Sequence, residues 1–197
     1  RKEIKDVLGY YRLLLNPKDN EAFLRVINTP TRGIGPTAVA ALSNAAAKRG
    51  ESLLETLEKA AEVSPPFSKA QLAKYQEFAD LIARLRKEAD QAEADFQEAR
   101  KIPNPYDHVQ IIGELLRSIA DKTGYIKSLQ LQDPQDNEGR IENINELCRV
   151  AIDFVQRNFE QGACPTLTDF LDRASLSSQL ETENSAVKGD GGKRMQG

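Results

Sequence analysis

Tryptophan is absent from this 197-residue chain, histidine and methionine occur once each, and cysteine occurs twice. A lone His108 cannot supply the ligands of a histidine-based metal site, and no Ser-His-Asp or Cys-His set can be built around it. With Asp107 beside it near an expected helix start, it reads as a polar first-turn residue. Cys148 and Cys164 lack metal-ligand spacing, and no secretory signal accompanies them. A reducing, cytoplasmic setting is therefore expected rather than a disulfide-stapled fold. No apolar run approaches the ~20 residues that a spanning helix needs, so no membrane partner is expected. The chain opens on RKEIKD without a methionine and reads as a piece of something longer. Aromatics make up 6% of the residues, apolar residues 40% and charged residues 29%, with 12 glycines and 9 prolines. That balance fits a helical protein with a real core.

The net charge of −3 argues against a general nucleic-acid coat. The average hides an asymmetry. Residues 1–50 hold nine Lys or Arg against four acids, a net of +5, and the rest hold 18 against 26, a net of −8. A basic end on an acidic body suggests a local anionic partner, with drift between surface helices as the plainer account.

Apolar residues recur at helical spacing through Ile4, Val7, Leu8, Tyr11, Leu14 and Leu15, and Asn16-Pro17 stops that helix. Asp19 can cap a second helix carrying Ala22, Phe23, Val26 and Ile27. Pro36 suits the first turn of a third, which runs to Gly50. Ser52 with Glu55, and Ser68 with Gln71, have the spacing of capping boxes. The second box opens a long helix whose apolar residues alternate three and four apart: Tyr75, Phe78, Ile82, Leu85, Ala89, Ala92, Phe96, Ala99. This is a heptad-type seam, suited to an intramolecular helical hairpin or a dimeric coiled coil. Its later half narrows to alanine and is free to project beyond the body. A helix from about Pro105 to Thr123 should end at Gly124. "LQLQDPQDNEG" reads as a loop, residues 140–160 as an amphipathic helix, and Thr166 to Asp169 as the start of a last helix through Leu176. The expectation is an all-α, compact helical subdomain with a helix-hairpin-helix-like turn and one long helix or helical hairpin. It should span residues 1–181, with 182–197 as a disordered linker.

The turn carries the chemistry. "TPTRGIGPTAV" (residues 29–39) sets two glycines around one isoleucine between two helices. Glycines let the backbone bend sharply and approach a phosphate, while Ile34 plugs the small core between the helices. The next helix start offers unpaired N–H groups and partial positive charge. Such contacts grip backbone without reading sequence. Arg32 adds a full charge, and Thr31 and Thr37 add hydroxyls. Pro36 removes one N–H, leaving Gly33, Ile34, Gly35 and Thr37 as main-chain donors. An ordinary αα turn that uses glycine for positive φ is the plainer alternative. Lys5 and Arg12 are seven apart and share one face of the first helix, away from most of its apolar residues.

"RKEIKDVLGYYRLLLNPKDNEAFLRVINTPTRGIG" (residues 1–35) resembles the stretch of UvrD/PcrA/Rep-type superfamily 1 DNA helicases that leaves the second motor subdomain and enters the accessory subdomain 2B. "GRIENINELCRVAIDF" (139–154) and "LTDFLDRASLSSQ" (167–179) resemble later helices of that subdomain. The resemblance covers most of residues 1–181 and thins between 85 and 104. It implies a parent enzyme that uses ATP and Mg to translocate 3′→5′ and unwind DNA. In it, 2B grips the double-stranded DNA backbone ahead of the fork, contacts the motor subdomains and swivels as a rigid body. It implies that Lys5 and Arg12 face duplex, that Arg32, Gly33 and Gly35 form the turn, and that Thr37 lies near a polar contact. Pro36 and Ala38 stand where relatives carry polar residues.

A motor needs a phosphate loop, a Mg-holding acid and arginine fingers. "GDGGK" at 189–193 has Val187 where the first glycine of such a loop must stand and Arg194 where Ser or Thr must follow, so it reads as linker. "DPQDNEGRIENI" fails as a calcium loop, with Glu138 at the glycine position and Ile144 at the final glutamate position. Glu142, Asn143, Asn145 and Glu146 read as a solvated helix face. No ATPase site and no resident cofactor is expected within these residues. The competing class is a protein-interaction module that docks a partner or a motor subdomain through the 68–99 helix.

Overall fold

The computed structural model describes residues 1–99, 101–102, 108–132 and 134–177, with the backbone alone at 134–136. Among the described residues nine α-helices follow one another: α1 Lys2–Leu15, α2 Asn20–Val26, α3 Pro36–Arg49, α4 Leu53–Glu58, α5 Lys69–Ala99, α6 Ile111–Lys122, α7 Tyr125–Gln130, α8 Pro134–Glu160 and α9 at residues 167–177. A short 3₁₀ turn, Ala60–Glu62, links α4 to α5. Among the described residues there is no strand, as the sequence leads one to expect. No described helix is long and apolar enough to cross a membrane.

The helix starts follow local chemistry. The Asp19 carboxylate accepts the Ala22 N–H. Ser52 and Glu55 exchange both bonds of a capping box, and so do Ser68 with Gln71 and Thr166 with Asp169. Each cap satisfies N–H groups that the first turn of a helix leaves orphaned. Pro36 sits in the first turn of α3, where its missing N–H removes nothing.

Four outcomes differ from the sequence reading. Residues 125–130 form α7, and α8 begins at Pro134, so most of the expected loop is helical. The first turn of α8 therefore occupies the stretch that was weighed as a calcium loop. α6 begins at Ile111, with Pro105 outside the described residues. The far half of α5 does not project. Phe96 and Ala99 are each 1% exposed, covered by the segment that enters α9. There Leu167 N–H reaches Glu93 Oε2 at 3.3 Å, and Cys164 Sγ lies 3.6 Å from Phe96 O. All eight seam residues are buried within the single chain. The 182–197 linker and its GDGGK stretch lie outside the described residues.

α1 is the central strut. It packs on α2, α5, α6 and α8, and Tyr10, Tyr11 and Leu13 are fully buried. A helix enclosed on so many sides also buries acids. Glu3 accepts a bond from the Asn143 amide at 2.6 Å. Asp6, with 3% of its side chain exposed, takes Lys2 Nζ at 2.9 Å, Arg25 Nη2 at 2.9 Å and the Tyr125 hydroxyl at 2.7 Å. One carboxylate thus ties α1 to α2 and α7. Burial, reinforced by the bond to Asp6, pushes the Tyr125 phenol far above its usual range, so it stays a donor. Of the acidic patch on α8, Arg149 bridges Glu142 and Glu146, and Asn143 joins Arg1 to Glu3. That face is partly structural rather than only solvated.

Replacing Asp6 by Ala strands the buried Tyr125 hydroxyl, whereas Lys2 and Arg25 can turn to water. The expected cost is about 2 kcal/mol. A lower urea midpoint with unchanged slope, followed by circular dichroism, is the result anticipated; an unshifted midpoint would show the hub to be dispensable.

Candidate nucleic-acid interface

The turn between α2 and α3 is held from inside by four side chains. Asn28 Oδ1 accepts the N–H of Arg32 at 2.7 Å and of Ile34 at 3.3 Å. The Tyr10 hydroxyl lies 2.6 Å from Thr29 O and 3.2 Å from Val26 O. Burial raises the Tyr10 phenol well above its usual range, only partly offset by the nearby Arg32 cation, so this donor persists at any working pH. Ile34 is 1% exposed and fills the space under the turn, as the sequence suggests.

Arg32 points inward. Its Nη1 donates to Pro30 O and its Nη2 to Thr123 O, each at 2.9 Å. Its guanidinium carbon lies 5.8 Å from the Tyr10 ring centre and 5.5 Å from that of Phe78. A planar, weakly hydrated cation suits two aromatic neighbours. Thr123 is the C-cap of α6, where exposed carbonyls carry partial negative charge. Arg32 therefore fastens the turn to α1, α5 and the end of α6 at once.

The outer surface is different. Thr31, Gly33 and Thr37 are exposed and Gly35 is half-buried. The N–H groups of Gly33, Gly35, Thr37 and Ala38 meet no acceptor among the described residues. Of the donors expected from sequence, Ile34 is removed because Asn28 has taken its N–H, and Ala38 joins the set. Gly33 adopts φ +71°, a conformation that favours glycine. Gly35 adopts φ −78°, and a Cβ there would meet nothing within 4 Å. The fold thus has no need of glycine at 35, and a bare backbone there leaves open space above the start of α3.

α5 supplies two further supports. Lys74 Nζ donates to Gly33 O at 2.9 Å, and the Tyr75 hydroxyl donates to Ala38 O at 3.0 Å. Lys74 is exposed and has no acidic partner among the described residues. It sets an ammonium group beside the open amides from 41 positions along the chain. No local pattern marks it. Asn28 did carry a signal, since an Asn just before a turn often bonds amides further on.

Arg12 Nε and Nη2 both reach Asp19 Oδ2, at 3.1 and 2.7 Å, with Glu21 at 3.8 Å. Its charge is matched where the chain enters α2. Lys5 is half-buried two turns earlier on the same helix. Much of the basic excess of residues 1–50 is answered in this way: Lys2 and Arg25 by Asp6, and Arg49 by Glu51 and Glu62. No group of three or more His, Cys, Asp or Glu able to hold a metal occurs among the described residues. His108 lies just before α6, and its Nδ1 is buried with no hydrogen-bond partner among the described residues.

Gly33→Ala should cost about 1–2 kcal/mol, because a Cβ is strained on the left-handed backbone at φ +71°, whereas Lys74 Nζ, 2.7 Å from that Cβ, ends an exposed side chain that can shift. Gly35→Asp should hold or raise stability, since Asp is a better N-cap than Gly. Thermal melts of the two variants check the contrast.

A family profile described as the UvrD-like helicase C-terminal domain matches residues 1–189. The ATP-dependent DNA helicase PcrA of Bacillus subtilis (strain 168) is 30% identical over 193 residues, covering 98% of this chain and 23% of that protein. PcrA of Leuconostoc citreum is 28% identical over 183 residues, covering 92% and 22%. PcrA of Staphylococcus aureus (strain Mu50 / ATCC 700699) is 30% identical over 186 residues, covering 93% and 23%. The chain spans less than a quarter of the length of these curated relatives.

Proposed function

The chain belongs to the UvrD-like helicase C-terminal domain family, and from that membership we propose that it is the 2B subdomain of a PcrA-type, 3′→5′ ATP-dependent DNA helicase. In this reading it grips the sugar-phosphate backbone of duplex DNA ahead of the fork and regulates unwinding. ATP and Mg belong to motor subdomains outside these residues. The observation that carries the reading is the row of amides at Gly33, Gly35, Thr37 and Ala38 that meet no acceptor among the described residues, beside the ammonium of Lys74, which bonds Gly33 O and meets no carboxylate among them. Oriented N–H groups at a helix start, with a point charge beside them, suit a phosphate oxygen and ignore base identity.

Within this surface the residues divide by role. Thr31, Gly33, Gly35 and Thr37 meet the phosphates, with Lys74 as the nearby charge. Ile34 and Arg32 hold the turn in shape from beneath. Arg12 and Lys5 flank the duplex path from α1, and Arg12 does so while bonded to Asp19. The competing reading used the 68–99 helix as a docking module. Its apolar seam is consumed inside the chain, so only its acidic outer face is left for a partner.

Binding by the isolated chain should be weak. With three or four phosphate contacts the log–log salt slope should lie near about −3. Lys74→Ala should flatten that slope by about one unit. Arg32→Ala should lower both affinity and melting temperature yet leave the slope unchanged, and Lys at position 32 should not rescue it, because a single ammonium cannot serve two carbonyls and two rings. Gly35→Asp should weaken binding without loss of stability. Fluorescence anisotropy with a labelled duplex across a salt series reads all of these. Wild-type binding by both the Gly35 and Lys74 variants would rule out this surface.

A further inference from the structure

The buried Asp6 hub and the α2–α3 turn are joined twice through the interior. On one side Asp6 Oδ1 holds Arg25 Nη2 at 2.9 Å. Arg25 stands three residues before Asn28, whose Oδ1 takes the amides of Arg32 and Ile34. On the other side Asp6 Oδ2 accepts the Tyr125 hydroxyl at 2.7 Å. Tyr125 stands two residues after Thr123, whose carbonyl takes Arg32 Nη2 at 2.9 Å. The turn is thus the far point of a closed ring through α1, α2, α7 and the end of α6. The corner between α6 and α7 is shaped to present that carbonyl. α6 ends at Thr123, where the helix no longer claims its carbonyl groups. The Thr123 hydroxyl donates to Ile119 O at 2.7 Å and accepts the Tyr125 N–H at 3.4 Å. Gly124 has φ +77°, the left-handed conformation that lets the chain leave one helix and enter the next. A Cβ there would stand 4.0 Å from Pro30 Cγ, so corner and turn lie against each other.

We infer that Tyr125 is a positioning residue for duplex binding: locked to Asp6, it sets where Thr123 O stands and, through Arg32, how the outward amides of the turn are spaced. The inference rests on the reading of that turn as the duplex-binding surface. Tyr125 is 4% exposed and acts at a distance from any phosphate. Its leverage comes from the two carbonyls that Arg32 reaches. Pro30 O belongs to the turn itself, so Thr123 O is the one that fixes the turn against α6. A hydroxyl bonded to a buried carboxylate is a strong tie, and it holds the start of α7 and the corner before it.

Tyr125→Phe keeps the ring in the core and removes only the bond to Asp6. In amide NMR spectra of the 197-residue chain it should displace the Gly33 and Gly35 signals. It should also weaken duplex binding about fivefold, the size of one coupled contact. The salt slope should stay unchanged, because no phosphate contact is lost. Gly124→Ala strains the same corner through its backbone and should move the same two signals. In an Arg32→Ala background, Tyr125→Phe should have no further effect on binding. Phe96→Leu, about 33 Å along α5 from Lys74, disturbs the core outside the ring and should leave signals and binding as in wild type. Unmoved Gly33 and Gly35 signals in Tyr125→Phe overturn the inference. So does an equal loss of affinity with and without Arg32, or from Phe96→Leu, since either makes the effect one of general stability. Unchanged binding by Tyr125→Phe where Lys74→Ala weakens it overturns the inference and spares the DNA surface. Wild-type binding by Lys74→Ala and Gly35→Asp, with displaced signals in Tyr125→Phe, retires the DNA surface and leaves the hold of the corner on the turn standing.

Discussion

A guanidinium group set over two aromatic rings and bonded to two main-chain carbonyls sets the shape of the turn on which the rest depends. Arg32 lies within 6 Å of the Tyr10 and Phe78 ring centres and joins Pro30 O to Thr123 O. Breaking any one of these contacts leaves the others to hold the cation, so the clamp is over-determined. That matters because a loop of glycines has much conformational entropy to lose. Asn28 and Tyr10 fix the same loop through its amides and carbonyls. The inner half of the main chain is thereby occupied, and the outer half is left exposed in one conformation. A preorganised array of donors binds more tightly than one that must be ordered on contact.

The long helix gives the turn its second anchor. α5 is buried along its whole seam, so its first turns are fixed relative to the core and not merely to α3. Lys74 and Tyr75 project from that fixed point to Gly33 O and Ala38 O. The buried Asp6 hub does comparable work on the other side, where α1, α2 and α7 converge. Both anchors hold the outward donors in one arrangement relative to the core.

Much of the architecture was legible in the residues. Capping chemistry at Asp19, Ser52, Ser68 and Thr166 is local, and each cap is present. The seam from Tyr75 to Ala99 is a periodic signal, and all of it is buried. Ile34 was legible as a plug because only an apolar side chain between two glycines can turn inward there. The start of α8 was not legible, since Pro, Asp, Asn and Gly favour turns and are helical here against that local preference. The covering of Phe96 was equally hidden, because it depends on a segment some 70 residues away in sequence.

Sequence alone determined that a glycine-bearing turn joins two helices and that cations are concentrated in the segment around it. These are properties of composition and of neighbours a few positions apart. Tertiary structure decided which of those groups face out. It turned Arg32 inward, matched Arg12 to Asp19 and brought Lys74 to the turn from a distant helix. The physical reason is that a charge is not committed by its type or its place in the chain. Its role is set by which carbonyls, rings and carboxylates the fold places within reach of it, and those come from elements that only packing brings together.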